Sequence, residues 1–215
     1  MREKSTEFVL VRHGQTQWNR EQVFRGHTDV ALSEEGRAQA EATAAALRAL
    51  PLTAVYSSRL ARAWETATAI AAPHRLVPQE EPGLLDLSFG AWEGLSVEEV
   101  ARRYPELYRR WREAPHTVVF PQGEGLATVR HRVERLLAHL PARHRGETIC
   151  LVSHRVVNKV LLLAVLGLGN EHFWCIEQDT CCLNRFRYTG GRFIVSGIND
   201  TCHLRRPPTE RETDF

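Results

Sequence analysis

The sequence predicts an α/β fold, a three-layer α/β/α sandwich around a central, mainly parallel sheet. Three observations predict it. Apolar runs recur at Phe8 to Val11, Ala54 to Ser58 and Thr148 to Val152, each too short for a stable helix and each reading as a buried strand. Helix-like segments separate these runs and give connections long enough for parallel crossovers. No internal repeat or low-complexity linker breaks the alternation, and 215 residues at 43% hydrophobic content can bury one large core. The expectation is one domain over residues 1–204, with a charged tail from 205 to 215 that holds Pro207-Pro208 and is expected to be flexible.

Each element has a local signature. The first strand ends at Arg12-His13-Gly14, where a loop begins. Ser33 caps a helix with Glu34, Glu35 and an alanine-rich run behind it, stopped by Pro51. The second strand follows, then a helix over Arg59 to Ala72 ended by Pro73. Pro78 to Gly94 holds three glycines and two prolines and is expected to be a loop carrying Asp86. Short amphipathic pieces run from Ser96 to Ala114, and a longer helix from about Gly125 to Leu140. The strand at Thr148 to Val152 leads into a helix over Val156 to Leu166. Cys182 to Tyr188 and Arg192 to Val195, joined by Thr189-Gly190-Gly191, predict a closing hairpin.

Composition excludes some partners. Lys plus Arg is 28 against 26 for Asp plus Glu, so a formal charge of +2 gives no global attraction to nucleic acid or an anionic membrane. The five cysteines are odd in number and lack a zinc-type Cys-x-x-Cys pair, so they read as reduced thiols. No run approaches the roughly 20 apolar residues of a spanning helix, and no signal-peptide pattern opens the chain. A cytoplasmic protein is expected.

Three strand ends deliver reactive residues: Arg12 and His13, then Ser57 to Arg62, then Ser153-His154. A parallel sheet would bring them together beyond its carboxyl edge. Two histidines and at least two arginines without a metal-ligand spacing suit a tetrahedral dianion. Arginine's planar fork binds two phosphate oxygens and keeps its charge. A neutral imidazole can attack phosphorus, and nearby guanidinium groups favour the neutral form. The leaving oxygen then needs an acid, and Asp86 is the candidate.

These residues resemble the histidine phosphatase superfamily, phosphoglycerate mutase-like branch. The likeness is carried by Val9 to Asn19 around Arg12-His13-Gly14, by Asp29 with Leu32-Ser33 and Gly36, and by Tyr56 to Ala67. It continues through Phe89-Gly90-Ala91-Trp92-Glu93-Gly94 and Val152-Ser153-His154, in the family's order, over about residues 7 to 200. The resemblance implies a phosphate pocket of Arg12, His13, Asn19, Arg62 and His154. His13 would be phosphorylated, with no metal and no cofactor. It implies a phosphatase acting on a small phosphorylated metabolite, without nucleic acid or membrane; a homodimer stays open. A mutase using the same residues and a non-catalytic phosphoryl-binding module are the rival readings.

Two positions depart from the family pattern. Asp86 stands where a glutamate is usual, one methylene shorter, so that either the loop sits closer or Glu93 or a water takes part of the acid's role. Arg155 follows His154 where glycine is frequent, and either adds a phosphate donor or faces solvent. Arg102, Arg103, Arg109, Arg110 and Arg112 read as a solvated helix face, or as contacts for an acidic substrate.

Overall fold

The computed structural model describes residues 4–204; the expected tail at 205–215 lies outside the described residues. Six strands form one sheet: β1 (Thr6–Arg12), β2 (Leu52–Ser57), β3 (Gln79–Glu80), β4 (Thr148–Ser153), β5 (Leu183–Thr189) and β6 (Arg192–Asp200). Their order is β3-β2-β4-β1-β5-β6. The first four strands pair in parallel, whereas β5 and β6 add an antiparallel hairpin beside β1.

Helices cover both faces, and the strands show why. Along β1, Phe8 and Leu10 pack to one side and Val9 and Val11 to the other. Ile149 and Leu151 of β4 alternate in the same way with Cys150 and Val152. A two-residue period with both sets apolar requires cover on both faces. The helices α2 (Glu34–Leu47) and α3 (Ala61–Ala71) cover one face through Leu47, Ala63, Ala67 and Ile70. On the other lie α6 (Leu126–Arg143) and α7 (Arg155–Leu166), whose Val129, Val133, Val157 and Leu161 belong to the larger core.

Element boundaries depart from the sequence reading where side chains intervene. The helix expected from Arg59 begins at Ala61, because the Ala61 N–H is taken by the Asp29 carboxylate at 2.7 Å. That leaves Arg59 exposed and outside the helix. The segment expected as an uninterrupted loop carries the short strand β3 and brief 3-10 turns at Pro82–Leu84 and Gly90–Trp92. The helix α6 continues past Pro141, which sits buried in its last turn. The short helices α1 (Gln17–Arg20), α4 (Val97–Arg103) and α5 (Pro105–Glu113) complete the set.

Gly14 and Gly36 explain how α2 is docked. A Cβ on Gly14 would lie 2.4 Å from the Gly36 carbonyl oxygen, and one on Gly36 would lie 2.0 Å from that of Gln15. Only two bare backbones allow this approach, which seats the α2 N-terminus against the loop after β1. The loop that carries Asp86 is anchored differently, by an aromatic cluster. Phe120 lies 4.9 Å from Phe89, 4.8 Å from Trp92 and 5.2 Å from Trp111, ring to ring. All four side chains are buried. Phe120→Ala is expected to cost about 3–5 kcal/mol of stability, seen as a lower urea midpoint with an unchanged slope.

Candidate active site

Register brings the reactive strand ends level. Parallel pairing of β1 with β4 sets Arg12 opposite Ser153, and β2 pairs Ser57 with Val152 on the other side of β4. The next residue on each of the first two strands is a histidine, so His13 and His154 meet with ring centroids 5.2 Å apart. The His13 N–H donates to the Ser153 carbonyl at 2.9 Å, which carries the ladder one step past β1.

His13 is held in one tautomer. Its Nδ1 lies 2.7 Å from the Gly14 carbonyl oxygen, and a carbonyl only accepts. Nδ1 therefore carries the proton and Nε2 the lone pair when the ring is neutral. Burial, followed by the charges of Arg62, His154, Arg12 and Arg25, pushes the ring's pKa well below 6.5. A buried neutral imidazole with a free Nε2 lone pair is a nucleophile.

His154 has the opposite polarity. Arg62 Nε donates to its Nδ1 at 3.3 Å, so the proton sits on Nε2, which is buried and has no hydrogen-bond partner among the described residues. The residue occupies the N-cap position of α7 but makes no side-chain cap. Burial comes first, and Arg62, Arg25, Arg132 and His27 add to it, in holding this ring neutral. His13 thus offers a lone pair, while His154 beside it offers an N–H that no acceptor among the described residues uses.

Arg62 joins the loops around the two rings. Besides His154 it donates to the Thr28 carbonyl at 3.0 Å, the Gly26 carbonyl at 2.8 Å and Asp86 Oδ2 at 3.0 Å. Four of its five N–H donors are engaged, which leaves one for a ligand. Burial disfavours its charge more than the adjacent Asp86 restores it. Asp86 is buried, its Oδ1 accepts from the Leu87 N–H at 2.9 Å, and its Oδ2 lies 3.5 Å from His154 Nδ1. Arg12 donates through Nη1 to the Gln178 carbonyl, and its own carbonyl accepts from Cys181 at 3.0 Å.

A family model for the histidine phosphatase superfamily, branch 1, matches residues 8–201. The chain belongs to this family. Phosphoserine phosphatase 1 of Hydrogenobacter thermophilus is 37% identical over 196 residues, spanning 91% of this chain and 93% of that protein. A 2,3-bisphosphoglycerate-dependent phosphoglycerate mutase 2 of Gloeobacter violaceus is 31% identical over 209 residues, spanning 93% and 94%. Among solved structures, YhfR of Bacillus stearothermophilus superposes with a TM-score of 0.87 at 32% identity, covering 92% of this chain and 98% of that one. The present chain is an enzyme, a phosphatase of the histidine phosphatase type.

The other expected site residues of this histidine phosphatase fall in different places. Asn19, in α1, turns back on the helix N-cap, its Oδ1 accepting from the Thr16 N–H and hydroxyl, both at 2.9 Å. Arg155, left between a phosphate donor and a solvent-facing residue, is 8% exposed and lines the crevice over His13 with Asp86 and Phe89. Glu93 is a staple for the loop. It accepts from the N–H groups of His27 and Phe89 and from the hydroxyls of Ser88 and Thr28, at 3.0–3.3 Å. Arg109 pairs with Glu106 and Glu113 on an exposed face, and Arg110 donates to Thr117; both bond within their own surface segment.

Several residues at the site carried no signal in the sequence. Arg132 Nη2 donates to the Leu85 and Asp86 carbonyls at 2.6 and 3.0 Å, and His27 Nε2 donates to the same Asp86 oxygen at 2.9 Å. Gln178 and Asn184 exchange reciprocal amide hydrogen bonds behind Arg12. Arg25 lines the same crevice as Arg155. A much larger concavity, about 590 Å³, lies at the other end of the sheet beside Lys4, Thr6 and Phe193. Another, about 630 Å³, is lined by Gln15, Gln17, Arg20 and Ser33, and neither contains any of the reactive residues.

Both buried rings resist protonation in the folded chain, whereas the unfolded chain's histidines titrate near ~6.5. Below that pH the unfolded state binds more protons, so stability falls as pH falls, by up to about 1.4 kcal/mol per pH unit for each ring. Urea midpoints measured between pH 7.5 and 5.5 should decline. His154→Gln should flatten that decline.

Proposed function

We propose that this chain hydrolyses phosphomonoesters of small metabolites through a phosphohistidine on His13. The observation that carries the reading is the pair of complementary ring nitrogens in a cage of guanidinium groups. His13 Nε2 is free to attack, and His154 Nε2 has a proton to give to a phosphate oxygen.

In the first step, His13 Nε2 bonds to phosphorus as the ester P–O bond breaks, and Asp86 gives a proton to the departing oxygen. Arg12, the remaining N–H of Arg62 and His154 Nε2–H stabilise the equatorial oxygens, where charge accumulates. In the second step, water bonds to phosphorus, the P–N bond breaks, and Asp86 takes the water's proton. Each Asp86 oxygen has lone-pair capacity beyond its bonds to Arg62 and Leu87. The Asn19 amide nitrogen, which has no hydrogen bond among the described residues, adds a donor at the pocket wall. No step calls on a metal ion.

Phosphate release from an activated aryl phosphate should survive excess chelator and fall by at least about 10³-fold in His13→Ala. Loss of activity to the chelator alone would overturn the metal-independent part of the reading. Asp86→Asn should reduce turnover of alkyl phosphates by about 10²-fold or more, and that of a good aryl leaving group far less. Equal losses on both substrates would remove Asp86 as the acid.

The mutase likeness supports a second reading, in which the phosphoryl group returns to another oxygen of the same molecule. Isomerisation of a phosphorylated hydroxy acid outpacing phosphate release, in the presence of a bisphosphate primer, would favour it. Tight phosphate binding without either reaction would favour a binding module.

A further inference from the structure

The stretch Leu85 to Phe89 carries Asp86 and lies between two 3-10 turns, outside any helix or strand. Its backbone groups therefore need partners from elsewhere, and side chains supply them. Just before it, the Leu84 carbonyl accepts from the Ser153 hydroxyl at the end of β4, at 2.6 Å. Arg132 Nη2 reaches the next two carbonyls, those of Leu85 and Asp86, and His27 Nε2 takes the remaining lone pair of the second. The Ser88 N–H donates to Glu124 Oε2 at 2.9 Å, and the Phe89 N–H to Glu93 Oε1 at 3.0 Å.

The Asp86 side chain has little reach of its own. Its carboxyl carbon stands one bond beyond Cβ, so the backbone and a single torsion decide where it lies. The bond from the Leu87 N–H to Oδ1 is local and moves with the loop, which leaves Arg62 as the side chain that ties the carboxylate itself to the rest of the site by a hydrogen bond. Where Asp86 can deliver a proton is thus decided largely by where its peptide sits.

Arg132 is well placed to decide it. The residue stands in the second turn of α6, between Val129 and Val133, which are fully buried. Its Nη1 donates to Glu124 Oε1 at 2.9 Å, while the other Glu124 oxygen holds Ser88. One carboxylate braces the arginine and the loop together, and the two side chains are only 19% and 22% exposed. Neither residue lines the crevice over His13, so any effect on the reaction passes through the loop.

We propose that Arg132, oriented by Glu124, is a positioning residue for proton transfer, setting the Asp86 carboxylate against the departing oxygen by fixing the Leu85 and Asp86 peptides. The proposal rests on the reading of Asp86 as the acid. Its consequence is selective. A basic alkoxide needs the proton as it leaves, whereas nitrophenolate leaves almost unaided. Attack by His13 and stabilisation of the equatorial oxygens serve both substrates alike. A displacement of about 1 Å is enough to cost up to about 10²-fold in rate.

The test measures kcat/KM for propyl phosphate and for 4-nitrophenyl phosphate and reads their ratio, which general damage to the fold leaves unchanged. Arg132→Gln should lower the propyl-to-aryl ratio by about tenfold. Arg132→Lys, a milder change that keeps the cation but not the fork, should lower it by about threefold. Glu124→Ala, which frees both Arg132 and Ser88, should also lower it severalfold. Asp86→Asn lowers the ratio most, and adding Arg132→Gln to Asp86→Asn should lower it no further, because the group being positioned is gone.

An unchanged ratio in folded Arg132→Gln and Arg132→Lys, with Asp86→Asn still lowering it, would overturn the positioning role and leave the acid reading intact. A further tenfold fall on adding Arg132→Gln to Asp86→Asn would also overturn it, since Arg132 would then act by a route other than Asp86. If Asp86→Asn itself leaves the ratio unchanged, the acid reading falls and the positioning role falls with it.

Discussion

The site depends on the fork of Arg62. One guanidinium, projecting from the first turn of α3, bonds at once to the carbonyls of Gly26 and Thr28, to the Asp86 carboxylate and to His154. Those partners come from three separate stretches of chain, and each bond fixes both direction and distance. Lysine would place a point charge there without the planar geometry that holds four acceptors. Because Arg62 donates to His154 Nδ1, the proton of that ring is placed on Nε2. The tautomer that matters for chemistry is thus set by an interaction outside the reacting atoms.

A buried cluster of like charges opposes folding, so the scaffold around it has to be rigid. The aromatic group of Phe24, Phe89, Trp92, Trp111 and Phe120 supplies apolar burial directly beneath the Asp86 loop. Polar staples lock the same loop from above. Glu93 gathers four donors, and Glu124 accepts from Ser88 and from Arg132, which in turn holds the Leu85 and Asp86 carbonyls. These bonds hold the loop carbonyls and carboxylate in place before any substrate arrives. Preorganisation of this kind is what makes charge stabilisation in a dry site effective.

Much of this was legible in the sequence. The apolar runs, helix caps and turn residues determine where strands and helices form, because these are local preferences reinforced by periodicity. The strand-end positions of Arg12, His13 and His154 follow from the same pattern once the sheet is parallel. Gly14, Gly36 and Glu93 belong to recognisable motifs, although their physical reasons, a backbone contact at the α2 N-terminus and a loop staple, show only in three dimensions.

Tertiary structure alone decided the rest. Arg25 looks like an ordinary loop arginine in sequence, and only its neighbours Phe24 and Gly26, pinned to distant residues, turn it inward. Arg155 could face either way until α7 began at that residue and buried it. The tautomers of the two histidines depend on Gly14 and Arg62, and the Asp86 backbone depends on Arg132 and His27 from elsewhere in the chain. Sequence by itself determined the main elements and the strand-end positions of Arg12, His13 and His154, because both are written in short patterns. Which cations point into the site, and which donors remain for a ligand, was decided by long-range packing, which no local pattern encodes.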